Sequence, residues 1–238
     1  MDNGLSTIIV PSYMKANTIV ECINGLLLTH QSYDIGEICI IVVIDGDDDG
    51  TYQKLTLNHI EKLKVIVLPS NSGKGAAIKT ALKVTESRYV AFFDADLDIE
   101  PSVLFEGLRR LRDNSNLSGV AGSKSHPDSV LIYPRARRVY SVIFKLLVKL
   151  MFNQKVVDSQ TGIKAFRMES IQDHYSECEE NGFLFELELM IRMLRENQRI
   201  EYIPVRINHK FGSTINIFSA FRILLDLIRL KCREKKNL

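Results

Sequence analysis

Residues Tyr89 to Phe93, Tyr-Val-Ala-Phe-Phe, form a short unbroken apolar run that ends abruptly in three alternate carboxylates, Asp94, Asp96 and Asp98. A run of that length without polar alternation is the pattern of a strand buried on both faces, as in mainly parallel sheets covered by helices. Carboxylates packed so densely repel one another unless a cation sits between them, and hard divalent cations take oxygen ligands. The carboxyl end of a strand is also where open α/β sheets bind ligands. Asp94, Asp96 and Asp98 are therefore candidate ligands for Mg²⁺ or Mn²⁺ held against a phosphorylated molecule. The same stretch also reads as a polar strand-to-helix turn, with Asp98 or Glu100 near an N-cap and Pro101 at the first helical position. The two readings are compatible.

Around that run, strands and helices alternate. Leu5 to Val10 reads as a strand closed by Pro11-Ser12-Tyr13, and Thr18 to Thr29 has helical spacing, with Ile19, Ile23, Leu26 and Leu27 on one face. Glu37 to Ile44 is a strongly β-branched strand that ends in the acidic loop Asp45-Gly46-Asp47-Asp48-Asp49-Gly50-Thr51. Tyr52 to Leu63 resumes a helical pattern, Lys64 to Leu68 is a third strand, and Asn71-Ser72-Gly73-Lys74-Gly75 leads into a small-residue helix from Ala76 to Val84. This order predicts an α/β chain with a doubly wound, mainly parallel sheet flanked by helices. The second half is less regular. Val120 to Gly122 is a short strand, Arg135 to Met151 a long basic amphipathic helix, and Asp158 to Arg167 a polar loop running into Ala165-Phe166. Phe183 to Leu194 is a helix with internal acids Glu186 and Glu188. Ile200 to Ile207 is a strand interrupted by Pro204, hence an edge, and a helix from about Ile217 to Cys232 follows.

With 238 residues the chain suits one α/β domain or two tightly fused halves. A net charge of +2 argues against a dedicated nucleic-acid binder, and local basic clusters matter more than the total. Cys22, Cys39, Cys178 and Cys232 lie far apart, in the pattern of neither a zinc site nor a disulfide framework, and with no signal peptide they point to a reducing, cytoplasmic setting. No apolar run approaches the ~18 residues of a spanning helix, which leaves peripheral association as the membrane question.

Two nucleotide motifs are excluded by spacing. A P-loop needs a glycine five residues before the glycine of its Gly-Lys pair and Ser or Thr after the lysine; here Leu68 and Gly75 stand there. No Gly-x-Gly-x-x-Gly follows the first strand. Asp94-Ala95-Asp96 also differs from an aspartyl-phosphate nucleophile loop, because it lies on the fourth strand with Asp98 two places on.

The ordered set Pro11-x-Tyr13, the Asp-rich loop after the second strand, Asn71-x-Gly73-Lys74-Gly75 and Asp94-x-Asp96 resembles family 2 glycosyltransferases of the GT-A fold, the nucleotide-diphospho-sugar transferase fold. Asp158-Ser159-Gln160-Thr161-Gly162-x-Lys164-Ala165-Phe166-Arg167, Phe183-x-Phe185-Glu186-x-Glu188-Leu189 and Ile203-Pro204-Val205 resemble the branch making dolichyl- or polyprenyl-phosphate hexoses. The resemblance runs from about Thr7 to Ser213. It implies one catalytic domain over residues 1–213, with a nucleotide-sugar half (1–120) and an acceptor half (121–213), followed by a basic amphipathic helix over 214–238.

By that resemblance Asp45 accepts a hydrogen bond from the base of a nucleotide sugar, Pro11 and Tyr13 wall the nucleotide, and Val43, Ala95, Lys74 and Lys210 line the donor. Asp94 faces the ribose or the metal, Asp96 ligates the metal bridging the diphosphate, and Asp98 is a further metal-contacting position. A metal that neutralises the diphosphate makes it a better leaving group. Lys74 either adds charge near the diphosphate or is a solvated loop lysine. Three positions depart from the branch: Lys15 replaces an acid, Thr214 a lysine, leaving His209 or Lys210 to meet the diphosphate, and Glu186 an aspartate.

The acceptor side follows from charge and resemblance together. The branch places basic residues where this chain has Lys124, after Gly122-Ser123, and Arg137, four residues before Ser141, on one helical face. Lys164 either joins Lys124, Arg137 and Ser141 around the acceptor phosphate or only anchors the Asp158 loop. Asp96, Arg137 and Glu188 are the candidate catalytic residues. Glu186 and Glu188 sit where a base would be sought, yet a phosphate monoester is already anionic at neutral pH, so proton removal does not require them. The last helix, with Arg222, Asp226, Arg229 and Arg233 on one stripe, either lies on an anionic membrane or packs on its own domain. The reading is an inverting, metal-dependent enzyme, peripheral at the cytosolic membrane face. It moves a hexose from GDP-mannose or UDP-glucose to a polyprenyl or dolichyl phosphate, with no nucleic-acid partner. The alternatives are transfer to a carbohydrate hydroxyl, or nucleotide-sugar binding without turnover.

Overall fold

A computed structural model describes residues 5–47, 49–58, 60–132, 135–152, 158–208 and 217–236, with backbone alone for 135–141, 217–223 and 234–236. The elements run β1 (Ser6–Ser12), α1 (Ile19–His30), β2 (Ile38–Asp45), α2 (Thr51–Leu57), β3 (Leu63–Leu68), α3 (Lys74–Leu82), β4 (Tyr89–Phe93), α4 (Pro101–Asp113), β5 (Gly119–Ser123), β6 (Val130–Ile132), α5 (Arg135–Phe152), β7 (Ile163–Arg167), α6 (Met168–Glu177), α7 (Phe185–Arg195), β8 (Ile200–Pro204), β9 (Arg206–Asn208) and α8 (Ile217–Lys236). Seven strands form one sheet in the order β3-β2-β1-β4-β7-β5-β8, while β6 and β9 pair separately. β7 runs antiparallel to both β4 and β5, and the other pairings in the sheet are parallel.

Helices cover both faces. On one face α1, α2 and α4 bury Ile19, Ile23, Leu26, Leu55, Leu104, Phe105 and Leu108 against Ile8, Val10, Ile40 and Val42. On the other, α3 and α7 bury Ile78, Leu82, Phe185 and Met190 against Ile9, Ile41, Val43 and Phe92. All five residues of β4 are buried, which explains its lack of polar alternation. α1 and α2 carry the chain outward from β1 to β3, and α3 brings it back to the far side of β1. β1 and β4 therefore flank the topological switch, whose carboxyl edge is where ligands bind in such sheets.

β1 pairs with β2 as far as Ser12 but with β4 only as far as Ile9. Pro11, expected in the loop, instead continues the strand where it has a neighbour on one side only, a position that tolerates proline. Beyond Ile9 the two strands part and a crevice opens.

The irregular second half departs most from expectation. The stretch expected as a polar loop contains β7, five buried residues inside the sheet between β4 and β5. Its lone Lys164 broke the apolar pattern, and the helix α6 that follows was not anticipated. α2 ends at Leu57 rather than Leu63. β8 is the edge strand expected from Pro204, but the chain leaves it there and forms β9 with β6.

A buried guanidinium ties these parts together. Arg167, at the end of β7, donates to Leu111 O (2.6 Å), Asn114 O (3.1 Å) and Leu117 O (2.8 Å), which ties β7 to the last turn of α4 and the loop after it. The described part of α8 packs inward through Leu227 and Leu230, and Arg233 pairs with Glu179 and Glu180.

Candidate active site

The crevice between β1 and β4 gathers side chains from four elements. Asp94, just past β4, forms an ion pair with Lys74, the first residue of α3, at 2.7 Å. The Lys74 ammonium also lies 3.3 Å from Glu186 Oε1 on α7, and Glu186 Oε2 lies 2.9 Å from Lys164 Nζ on β7. Lys164 donates as well to Thr161 O at 2.6 Å. Four charges of alternating sign thus run inward from the crevice, with side-chain exposures of 32 % for Asp94, 16 % for Lys74, 4 % for Glu186 and 0 % for Lys164.

Glycines make this assembly possible. A Cβ on Gly73 would lie 2.3 Å from Asn181 O, and one on Gly75 would lie 2.5 Å from Phe185 Cβ. Only bare backbone lets the start of α3 approach the start of α7 this closely, and Ala76 N donates to Asn181 O across the contact. Gly162 does the same for the loop before β7: a Cβ there would sit 2.3 Å from Asp94 Oδ2. Asp94 N donates to Gly162 O at 3.1 Å, so the Asp158–Gly162 loop lies directly against the acidic turn.

Burial raises the Asp94 carboxyl, but the adjacent Lys74 ammonium outweighs it and holds the group below its ordinary range. For Lys74 burial acts downward, and the carboxylates of Asp94 and Glu186 more than offset it, keeping the amine firmly protonated. Asp96 shifts the other way: burial, then repulsion from Asp94 and Asp98, raises its carboxyl. A neighbouring cation would relieve that repulsion.

The three alternate carboxylates do not close into one cage. Among the described residues no three His, Cys, Asp or Glu side chains are gathered as a metal site. Alternation puts side chains on one face only while the chain stays extended, and here it turns: Leu97 has φ 61° and Asp98 N donates to Asp96 Oδ1 at 3.1 Å. Asp94 points to Lys74, whereas Asp98 is buried and its carbonyl accepts from Asn208 N. Pro101 does occupy the first position of α4, as the turn reading expected.

The acidic loop after β2 divides its labour. Asp45 is buried and accepts from Ser72 N (2.6 Å) and Gly73 N (2.8 Å), latching the loop that presents Lys74. Asp49 accepts from Ala16 N (2.9 Å), which ties down the loop carrying Tyr13 and Lys15. Tyr13 is 45 % exposed at the crevice rim, Val43 is fully buried in the core, and the Ala95 carbonyl accepts from Thr18 Oγ1 at 2.8 Å. Lys124 N donates to Asp158 Oδ2 at 2.8 Å and its Nζ to Gln160 O at 3.2 Å, so Lys124 borders the loop that covers Asp94.

Lys164 does not stand on an acceptor-facing surface. It is fully buried, its ammonium held by Thr161 and Glu186. Glu188 lies outside the charge chain, accepting from Glu179 N, Glu180 N and Arg192, which braces the turn before α7. Arg137 and Ser141 lie on α5 with side chains outside the described residues, and His209, Lys210 and Thr214 are outside them altogether. The pairing of Glu186 with two lysines was missed from sequence. Its one visible signal was a lone cation inside the apolar run Ile163-Lys164-Ala165-Phe166.

The model of the family described as glycosyl transferase family 2 matches residues 7–175. The glycosyltransferase AglD of Haloferax volcanii is 28 % identical over 204 residues, spanning 84 % of this chain and 32 % of that protein. This chain thus corresponds to about a third of that relative's length. A dolichyl-phosphate beta-glucosyltransferase of Dictyostelium discoideum is 26 % identical over 98 % of this chain and 76 % of its own length. Among solved structures, glucosyl-3-phosphoglycerate synthase from Mycobacterium tuberculosis, in complex with Mn²⁺, UDP and glucosyl-3-phosphoglycerate, superposes with a TM-score of 0.74. That match has 17 % identity and covers 95 % of this chain and 79 % of that one, which establishes a shared GT-A fold.

Proposed function

This chain belongs to glycosyl transferase family 2, and on that premise we propose that it transfers a hexose, with inversion, from a nucleotide diphosphate sugar to a polyprenyl or dolichyl phosphate. The observation that carries the proposal is the state of the two acids on α7. An inverting enzyme that activates a hydroxyl needs a carboxylate free to take a proton. Here Glu186 is hydrogen-bonded to Lys164 through Oε2 and ion-paired with Lys74 through Oε1, which makes no hydrogen bond, and Glu188 is committed to backbone N–H groups and Arg192. A phosphate monoester needs no such base, since its second pKa is about 6. The relatives named as dolichyl-phosphate beta-glucosyltransferases favour this acceptor, and UDP-glucose over GDP-mannose as donor.

The residues at the crevice fit a divalent cation that arrives with its nucleotide. Mg²⁺ and Mn²⁺ take hard oxygen ligands, and Mg²⁺ typically binds through one or two carboxylates together with substrate phosphates. Asp96, repelled by its acidic neighbours, would be the chief protein ligand, with Asp94 beside it. Buried Ser12 Oγ and Thr161 Oγ1 lack hydrogen-bond partners among the described residues; one lies at the end of β1, the other beside Gly162. A metal held there would neutralise charge on the leaving diphosphate. Lys74 adds a fixed positive charge at the same edge, and Asp45 and Asp49 hold the two loops that frame the nucleotide. Lys124 and Arg137 would receive the acceptor phosphate, bringing two anionic partners together.

The acceptor implies a membrane surface. Among the described residues no helix is long and apolar enough to cross a membrane. α5 carries five Arg or Lys and no acid, and exposes Val142, Ile143, Leu146 and Leu150. This combination favours peripheral binding to anionic lipid at the cytosolic face through α5, while α8 buries Leu227 and Leu230 and exposes Leu225 and Ile228. The test is transfer from UDP-glucose and GDP-mannose to farnesyl phosphate, with Mn²⁺ or Mg²⁺ and with chelator. Metal-dependent glucosylation of the lipid phosphate is expected. Transfer to a disaccharide hydroxyl with none to the lipid phosphate would overturn the proposal.

A further inference from the structure

The chain Asp94–Lys74–Glu186–Lys164 contains a pair that touches neither crevice nor solvent. Glu186 and Lys164 are both buried, yet they come from different elements and meet at 2.9 Å. Two buried charges are costly to assemble, and an apolar pair of similar volume would hold α7 to β7 at least as well. Stability alone therefore does not account for them. What the pair does uniquely is set charge and direction behind Lys74. Glu186 reaches the Lys74 ammonium at 3.3 Å on the side away from the crevice, while Asp94 holds it at 2.7 Å on the other. The amine lies between two carboxylates, in an ion pair with each.

The sign of the sum matters as much as the geometry. Asp94 and Glu186 contribute two negative charges and Lys74 and Lys164 two positive ones, so the four balance. Without Lys164 the group would carry a net negative charge beside the place where a diphosphate has to bind. We infer that Lys164 and Glu186 are positioning residues for the donor diphosphate: Glu186 aims Lys74, and Lys164 cancels the charge Glu186 brings. This assignment rests on the nucleotide-sugar reading above. It makes Lys164 neither an acceptor ligand nor a mere loop anchor, and Glu186 neither base nor metal ligand.

The inference predicts effects of opposite sign from the two halves of one ion pair. Lys164→Met leaves an uncancelled anion and should weaken binding of UDP·Mn²⁺ about 10-fold, the scale of a unit charge several ångströms away at an effective dielectric of ~20. Binding of UMP, which lacks the second phosphate, should fall by less than ~3-fold. Glu186→Gln leaves an uncancelled cation, so UDP·Mn²⁺ should bind as tightly as before or more tightly. Its kcat should nevertheless drop roughly 10-fold or more as Lys74 loses its aim. The double variant Lys164→Met/Glu186→Gln, which removes both charges and is the one expected to fold most readily, should bind UDP·Mn²⁺ within ~3-fold of wild type. Lys164→Arg should do the same.

The experiment is calorimetric titration of wild type and these variants with UDP, GDP and UMP in Mn²⁺. It is paired with thermal melts and with kinetics over a range of farnesyl phosphate concentrations. If both single variants weaken UDP in parallel with lowered melting temperature and the double variant follows them, the pair is structural and the inference fails. If Lys164→Met leaves UDP binding unchanged and raises only the KM for farnesyl phosphate, Lys164 is an acceptor ligand. A wild-type chain that binds neither UDP nor GDP would instead sink the donor reading itself, and the inference with it.

Discussion

Gly162→Ala adds one methyl group and tests whether the acidic turn depends on the loop that covers it. The new Cβ would lie 2.3 Å from Asp94 Oδ2, 2.6 Å from its Cγ and 2.8 Å from its Cβ. Rotating the Asp94 side chain moves the first two atoms but not the third, so backbone has to shift as well. The carboxylate oxygen must retreat by at least about 0.7 Å to reach even a 3.0 Å contact. The carboxylate is held through its other oxygen, Oδ1, by Lys74 at 2.7 Å, and the Asp94 backbone by the 3.1 Å bond to Gly162 O. Overpacking of this kind costs about 1–3 kcal/mol. For a chain of 238 residues, ~2 kcal/mol lowers the melting temperature by about 4–8 °C. The larger effect should be on rate, because a displacement of order 1 Å at a positioned charge costs ~10²-fold. Thermal melts and steady-state kinetics with UDP-glucose and farnesyl phosphate measure both quantities. A Gly162→Ala protein with unchanged kcat/KM and melting temperature would show that Asp94 is not held as described, and the account of the crevice would fail with it.

Arg167→Leu should cost about 2 kcal/mol or more, because Leu111 O and Leu117 O lose their donor at ~1 kcal/mol or more each while Asn114 O keeps Leu117 N, and chemical denaturation would register it. A loss below 1 kcal/mol would mean that water takes over from the guanidinium. Glu188→Gln should destabilise by about 1–3 kcal/mol through Glu179 N, Glu180 N and Arg192, yet keep turnover per folded molecule within ~3-fold. Collapse of turnover with an unchanged melt would make Glu188 a base after all. Burial, reinforced by Asp96 and Asp94, pushes the Cys22 thiol up to about 12, so iodoacetamide at pH 8 should spare Cys22 in the native protein. Exposed Cys232 should react, and peptide mapping distinguishes the two.

Much of the first half was legible because its signals are local. The apolar run Tyr89–Phe93 has the pattern of a covered strand, and the alternation of strands and helices up to the start of α4 follows from periodicity and breakers. Pro101 at the first turn of α4 and Pro204 at a sheet edge obey steric rules that hold in any fold. The ordered motifs were enough to indicate the family. By contrast, β7 was hidden because Lys164 interrupts its apolar pattern, and a buried lysine becomes intelligible only once its anion is known.

Which charges meet is a property of the tertiary structure alone. Glu186 lies 112 positions from Lys74 and 22 from Lys164, and no spacing rule connects residues on α3, β7 and α7. The three alternate carboxylates suggested one cage, but the left-handed turn at Leu97 breaks the alternation, and Asp94 pairs with Lys74. Asp45 and Asp49 looked alike in an acidic loop, and only packing assigned one to the loop before α3 and the other to the loop before α1. The physical reason is the same in each case. Periodicity is decided within a few residues of chain, whereas the pairing of buried charges is decided by which elements the sheet order brings together.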